Sequence, residues 1–455
     1  MCRYKNFEEL IKDIDSRFAD KICFYAEECG KKKGITFHEF VLLVKNKVLL
    51  FSKMTFVCAG LYAKSSIDWI CSVFALAISG KRVVLFSPYY DNAKLQELID
   101  KTGVEFLLVD DVSGKLKEYS GKELKLFSPN SFKCEDECRG KLLFFTSGTT
   151  GKNKAVVLSQ KSLLDCAWNG QQMLSCSCND IVLSILNLDH VFGFVCSMLW
   201  PLCFGAAVAV GRGREHLIDD PFFFEPTIIP VIPGILKKLL TTGSLGQSIR
   251  TVLVGASPCS SELLDEIRRC GKEVRFGYGL TETCSGVAIS LRGEDSYAMA
   301  VCPDVKISLS EEGEILISSP YLMDGYFNDK LNTDKALHDN VFCTGDIGVF
   351  DSNNRLSVIG KKDDMLVLPG GERIYCVKWE TKLSIMLNAE TALTMNNGVL
   401  TAVVKSTVIS EEAAWKIIQK FNSTLEEGCR IEACKMRYTE FPRTITGKLQ
   451  RWLIN

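Results

Sequence analysis

The chain has 455 residues, 47% of them hydrophobic and 24% charged, with a formal net charge of −1. That length exceeds what one hydrophobic core usually serves, so two or more domains are expected. The balanced charge gives no electrostatic basis for binding nucleic acid or an anionic membrane surface.

The first stretch, MCRYKNFEELIKDID, is polar and has no apolar signal-like run, so a cytoplasmic protein is expected. Apolar runs at 55–61, 82–86 and 104–109 predict strands, and the amphipathic stretches 66–78 and 92–101 between them predict helices. The uncharged stretch 191–210 (VFGFVCSMLWPLCFGAAVAV) is long enough to span a bilayer. Pro201, Gly205 and the strand-like AAVAV tail split it, so a buried helix of about ten residues followed by a buried strand is expected. A membrane protein built around this segment is the alternative. Further strands are predicted at 251–254 and 273–276, flanking a helix at 260–270 with Ser260 as its N-cap. Short apolar runs alternating with amphipathic helices imply an α/β chain of helix-covered parallel sheets.

Near Gly360 the dense charged stretch GKKDDM marks a boundary. Beyond it come a strand pattern at 399–404 and a helix pattern at 410–425 capped by Ser410, enough for a small α+β domain. The expected organisation is a large N-terminal body, 1–360, and a small mobile C-terminal domain, 361–455. Twenty cysteines are present but only four histidines. Cys58, Cys71, Cys196 and Cys203 lie inside apolar runs and read as small buried hydrophobes of a reducing compartment. The close pairs Cys134/Cys138 and Cys176/Cys178 have no partner pair at zinc-site spacing.

The sharpest local feature is 145–154, FTSGTTGKNK. It is expected after a strand (KLLFF) and before a helix starting near Ser159. Gly148 and Gly151 let the backbone bend so that its amides face outward. Thr146, Ser147, Thr149 and Thr150 add hydroxyls, and Lys152 and Lys154 add positive charge. That set suits a polyphosphate. It is not a Walker A loop, which needs a longer gap between its glycines and a Ser or Thr after its lysine.

FTSGTTGKNK resembles the phosphate loop of the adenylate-forming superfamily, which includes acyl-CoA synthetases, adenylation domains and firefly luciferase. Asn153 and Ala155 stand where that loop commonly has proline and glycine. Other landmarks follow in the family's order over nearly the whole chain. NLDHVFG at 187–193 is similar to the acyl-pocket segment, which implies pocket roles for His190, Val191 and Gly193. GASP resembles the loop between adenine and acyl sites, implying Gly255, Ala256 and Ser257 as nucleotide contacts and Ser257 as a pocket residue too. GYGLTET resembles the adenine and magnesium segment. Gly277, Tyr278, Gly279 and Thr281 would then contact the nucleotide, with Gly279 also at the acyl pocket, and Glu282 would bind Mg²⁺.

TGD at 344–346 resembles the ribose segment, with Asp346 as the acceptor. GKKDD resembles the hinge, with Lys361 where arginine is usual and Asp363 at the pivot. LVLPGGERIYCVKWE resembles the long-chain fatty acyl-CoA synthetases, where Gly371 would line the thiol tunnel. PRTITGKLQ resembles the closing motif, with Lys448 as the catalytic lysine.

The resemblance implies ATP-dependent conversion of a carboxylic acid, a fatty acid by the pattern, into acyl-AMP. Transfer to a thiol would follow, with ATP, Mg²⁺ and CoA as cofactors and Lys448, Thr146 and Glu282 as catalytic residues. Alternatives are loading onto the phosphopantetheine of an acyl carrier protein, adenylation of an amino or aryl acid, and a non-catalytic nucleotide or acyl sensor.

Overall fold

A computed structural model of the chain describes residues 3–111, 115–120, 122–128, 138–147, 153–294, 297–396, 398–425, 427–442, 449 and 451–454, with only the backbone at 147, 363, 377, 378, 427 and 452. The described chain forms two compact units. The first takes in Met1–Thr146, Asn153–Lys306 and Ile317–Phe342, and the second is built on Ile307–Leu316 and Cys343–Asn455.

Short runs of branched apolar residues bounded by turns form the sheets of the first unit. In one sheet, Thr251–Val254 lies between Ile228–Val231 and Glu273–Leu280, all parallel. Ile228–Val231 continues in parallel to Ile181–Ser184, then to Ala207–Val210 and Ile22–Glu28. A second sheet runs Gly325–Tyr326, Asn153–Leu158, Leu142–Ser147, Arg82–Phe86, Cys58–Tyr62, Phe106–Asp110, Leu116–Glu118. Its centre is parallel. Strands buried on both faces need helices over them, and these are well capped: Ser66, Asp91, Ser159 and Ser260 each accept from a backbone N–H in the first turn of the following helix.

Some expected boundaries shift. The strand expected at 55–61 runs Cys58–Tyr62, and the one at 104–109 runs Phe106–Asp110. The strand expected at 273–276 continues to Leu280, so GYGL is strand rather than loop. A strand, Asn153–Leu158, stands between the phosphate-loop segment and the Gln160–Met173 helix, where the sequence predicts loop leading directly into helix. Residues 191–210 form helical turns and then the strand Ala207–Val210, as expected. Among the described residues no helix is long and apolar enough to cross a membrane. Cys58, Cys71 and Cys203 are buried and Cys196 is half-buried. Burial pushes the Cys71 thiol up to about 12 and the Cys196 thiol up to about 11. Both therefore behave as protonated, unreactive packing groups.

From Cys343 onward the strand Val341–Phe350 belongs to the second unit, where its residues 346–350 pair antiparallel with Leu356–Lys361. This unit also holds a sheet of Glu390–Asn396, Val399–Lys405 and Ala433–Arg437. The helices Cys376–Leu387 and Glu411–Asn422 share a core with that sheet through Leu383, Leu387, Leu393, Leu400, Ile418 and Phe421. Arg451 closes the chain end onto this unit. Its guanidinium pairs with Glu380, donates to Asp364 at 3.2 Å and to the Leu393 carbonyl at 3.2 Å. Arg451→Met leaves a nearly buried carboxylate without its cation, and about 3–5 kcal/mol of this unit's stability is expected to be lost. Chemical denaturation followed by Trp379 and Trp415 fluorescence checks this.

Candidate active site

Several of the sequence-predicted segments meet within the first unit. Lys154, on the strand Asn153–Leu158, places its ammonium 4.6 Å from the centre of the Tyr326 ring. The Tyr326 hydroxyl donates to Glu282 Oε1 at 2.8 Å. Strand pairing brings this about: Tyr326 sits opposite Val156 across an antiparallel register. Thus Lys154 and Glu282, far apart in sequence, converge on one aromatic side chain. Glu282 is 8% exposed. Burial first, and then the Glu282 carboxylate, hold the Tyr326 phenol protonated well beyond its ordinary range. Tyr326 belongs to none of the motifs read from sequence, and only the sheet register exposes its role.

A second junction joins three motifs. A Cβ on Gly255 would lie 3.1 Å from the Phe192 ring and 3.5 Å from the Gly277 carbonyl oxygen. The GASP loop, the NLDHVFG segment and GYGLTET therefore share one wall. Gly279 is held tighter still: a Cβ there would stand 1.6 Å from the Ser285 carbonyl oxygen. The bulge between Tyr278 and Gly279 folds the strand back onto Ser285 and Gly286. Tyr278 and Thr281 are half-buried.

The backbone is unusual at the same places. Ala256, Cys284 and Ser285 have φ of +65°, +54° and +117°. Side-chain-bearing residues rarely adopt such angles, and they concentrate at functional sites. Past His190 the helix is π-wound over Gly193–Leu199, another feature that recurs at functional sites.

His190 itself is 62% exposed and lies 3.8 Å from Asp189. Burial pushes the Asp189 carboxyl above the usual carboxylate range, against the pull of His190, Ser87 and Arg214. Val191 and Gly193 are buried; Ala256 and Ser257 are exposed. Phe194, Trp200 and Val287 nearby are core residues: Phe194 packs edge-on to Trp69 and Phe144, and Trp200 donates to Gln171 at 2.7 Å.

In the second unit Asp346 is 4% exposed and pairs with Lys361, its register partner across the strand pair. Its N–H donates to Thr344 Oγ1 at 3.0 Å. Lys362 bonds Glu314 at 3.2 Å beside them. Gly371 occupies a turn with φ +93°. Thr146 is half-buried at the end of its strand. Gly148, Thr149, Thr150, Gly151, Lys152 and Lys448 lie outside the described residues, as do the side chains of Ser147 and Asp363.

A family model described as AMP-binding enzyme matches residues 55–327, more than half of the chain. The chain belongs to the AMP-binding enzymes. The matched span of this AMP-binding enzyme holds every first-unit site residue, while Asp346, Lys361, Asp363, Gly371 and Lys448 lie beyond it. The enzyme is 26% identical over 390 residues to the 2-succinylbenzoate–CoA ligase of Listeria innocua, covering 79% of this chain and 78% of that one. It is also 26% identical over 367 residues to long-chain-fatty-acid–CoA ligase 1 of Cavia porcellus, covering 66% of this chain and 52% of that one. Its structure matches O-succinylbenzoate coenzyme A synthetase of Bacillus subtilis, solved with AMP, with a TM-score of 0.82 at 21% identity and 98% of each chain covered. The α/β fold is therefore that of the adenylate-forming superfamily.

Tyr326→Phe isolates the hydroxyl, since the ring facing Lys154 stays. Glu282 loses a buried donor, and a stability loss of about 1–3 kcal/mol is expected. Urea denaturation of the two proteins side by side measures it.

Proposed function

We propose that this enzyme activates a carboxylic acid with ATP and passes the acyl group to CoA. A carboxylate oxygen attacks the α-phosphorus, the bond to the β-phosphate bridge breaks, and pyrophosphate leaves. The CoA sulfur then attacks the acyl carbonyl carbon, AMP leaves, and the thiol proton goes to solvent. The convergence of Lys154, Tyr326 and Glu282 in a chain of the AMP-binding family carries this reading.

In the first step charge builds on phosphoryl oxygens, so positioning and electrostatics do the work. Thr146 and Lys154, with the rest of the 145–154 loop, hold the β- and γ-phosphates. Tyr278, Gly255, Ala256, Ser257, Gly277, Gly279 and Thr281 receive the nucleoside and its acyl ester. Asp346, steadied by Lys361, takes the ribose hydroxyls. Glu282 would hold Mg²⁺, which would neutralise phosphate charge when bound. Among the described residues no group of three or more His, Cys, Asp or Glu is placed to hold a metal ion. A magnesium bound by one carboxylate and the substrate's phosphates needs no such group. Lys448 contacts the α-phosphate and the attacking carboxylate. Rotation of residues 361–455 about Asp363 then removes Lys448 and opens the thiol path past Gly371.

The acid we place first is an aryl carboxylic acid carrying a second acidic group. The 2-succinylbenzoate–CoA ligase relatives support it. A fatty acid is the second reading, favoured by the LVLPGGERIY segment and the fatty-acid ligase relative. ATP–pyrophosphate exchange over aryl, fatty and amino acids, followed by CoA addition, tests both. Exchange with an aryl diacid and a CoA thioester product is expected. Exchange without a thioester would point to a carrier protein, and no exchange from folded protein would point to a sensor.

A further inference from the structure

The helix Phe37–Phe51 is apolar on two faces. Phe37, Phe40, Val41, Val44 and Phe51 are buried in the first unit. On the opposite side Leu42, Leu43, Leu49 and Leu50 are 44%, 43%, 64% and 52% exposed. A helix that is apolar all round is ordinarily buried all round, and four large leucines on one short face form a patch rather than scattered exposure.

The patch is arranged about a centre. Leu42 and Leu43 stand four and three residues before Asn46, and Leu49 and Leu50 stand three and four after it. At 3.6 residues per turn all five share one stripe, with the exposed Asn46 at its midpoint. The charges follow the same symmetry. Glu39 lies seven residues before Asn46 and Lys53 seven after, in the turn that follows the helix, and both are exposed; one Glu39 oxygen accepts from the Thr36 N–H at 2.7 Å in the helix capping box, and the other is left to a mate. The flanking lysines already have partners within the chain: Lys45 with Asp15 at 3.7 Å and Lys47 with Asp68 at 2.8 Å.

A surface that matches itself when reversed is what a two-fold interface requires. We propose that the enzyme pairs with a second copy of itself through this helix, antiparallel, with the two Asn46 residues at the two-fold axis. Leu42 and Leu43 of one copy then pack on Leu49 and Leu50 of the other. Glu39 of each meets Lys53 of its mate, giving two symmetric ion pairs. The Asn46 amides hydrogen-bond to each other, and an asparagine within a leucine seam disfavours slipped registers. A membrane surface would draw on basic charge around the leucines; here one end of the stripe is acidic and the other basic, which suits an antiparallel mate better.

Sedimentation velocity of the full chain, loaded up to about 100 μM, tests this. The expected species is a dimer of the 50.7 kDa chain. Leu49→Asp, present twice in the interface, should raise the dissociation constant by about 30-fold or more while melting temperature and pyrophosphate exchange stay at wild-type values. Lys53→Glu sets like charges opposite each other and should weaken the dimer by roughly fivefold. The exchange Glu39→Lys with Lys53→Glu should restore the dissociation constant even though it lowers the melting temperature by removing the Thr36 capping box, a rescue that a merely structural role would not produce. A wild-type monomer throughout the range, or a Leu49→Asp protein still dimeric, would overturn the proposal. So would a monomer that binds anionic vesicles through this face.

Discussion

Lys448→Ala is expected to lower ATP–pyrophosphate exchange by on the order of 10²–10³, while conversion of a supplied acyl-adenylate to thioester survives. The proposed function assigns the lysine to the α-phosphate and the attacking carboxylate, whose negative charges it would hold together during adenylation. An ammonium placed there in advance costs no reorganisation at the moment of reaction, and alanine removes that stabilisation outright. In thioester formation the acyl carbonyl is attacked by a thiol, which needs the space the lysine held. The same model makes Asp363→Pro the counterpart. Proline fixes φ at the pivot, so adenylation continues while thioester formation fails. Pyrophosphate exchange and single-turnover thioester formation separate the two half-reactions. Equal loss of both in each variant, with folding intact, would end the two-state account.

Gly279→Ala is expected to be nearly as damaging, for a steric reason. Its Cβ would stand 1.6 Å from the Ser285 carbonyl oxygen, 2.4 Å from that carbonyl carbon and 2.9 Å from the Gly286 Cα. All three are backbone atoms, so no side chain can rotate to make room. The bulge must open, at a cost of about 3 kcal/mol or more, and Tyr278 and Thr281 move with it. Both stability and exchange activity should fall. Gly286→Ala is the control on the paired strand, because a Cβ there meets nothing within 4 Å. Thermal unfolding and exchange assays of the pair would show a large effect at Gly279 and a small one at Gly286. Comparable effects at both positions would mean that the close approach at Gly279 is not what matters.

Much of the secondary structure was legible because it depends on neighbouring residues. Arg82–Phe86 and Thr251–Val254 appear with the expected ends, each a run of branched apolar residues stopped by turn formers. Ser260 and Ser410 cap their helices as expected, since an N-cap bond spans only three residues. The strand at Cys58–Tyr62 was placed too early because hydrophobicity marks a run without saying which of its residues the neighbouring strand will pair. The Asn153–Leu158 strand is not legible locally because its lysine and asparagine look like loop. It is a strand because Leu142–Ser147 and Gly325–Tyr326 lie on either side of it.

By itself, the order of short motifs determined the family, the α/β class and the residue types available for phosphate, ribose and metal. Those properties reside in contiguous stretches whose chemistry does not depend on what they touch. Tertiary structure alone decided that Tyr326 joins Lys154 to Glu282, that Lys361 pairs with Asp346, and that Phe194 and Trp200 are core. It alone showed that Leu42, Leu43, Leu49 and Leu50 are exposed on one helix. Each of these follows from strand register and burial, which bring distant residues together by a global free-energy balance that no local pattern encodes.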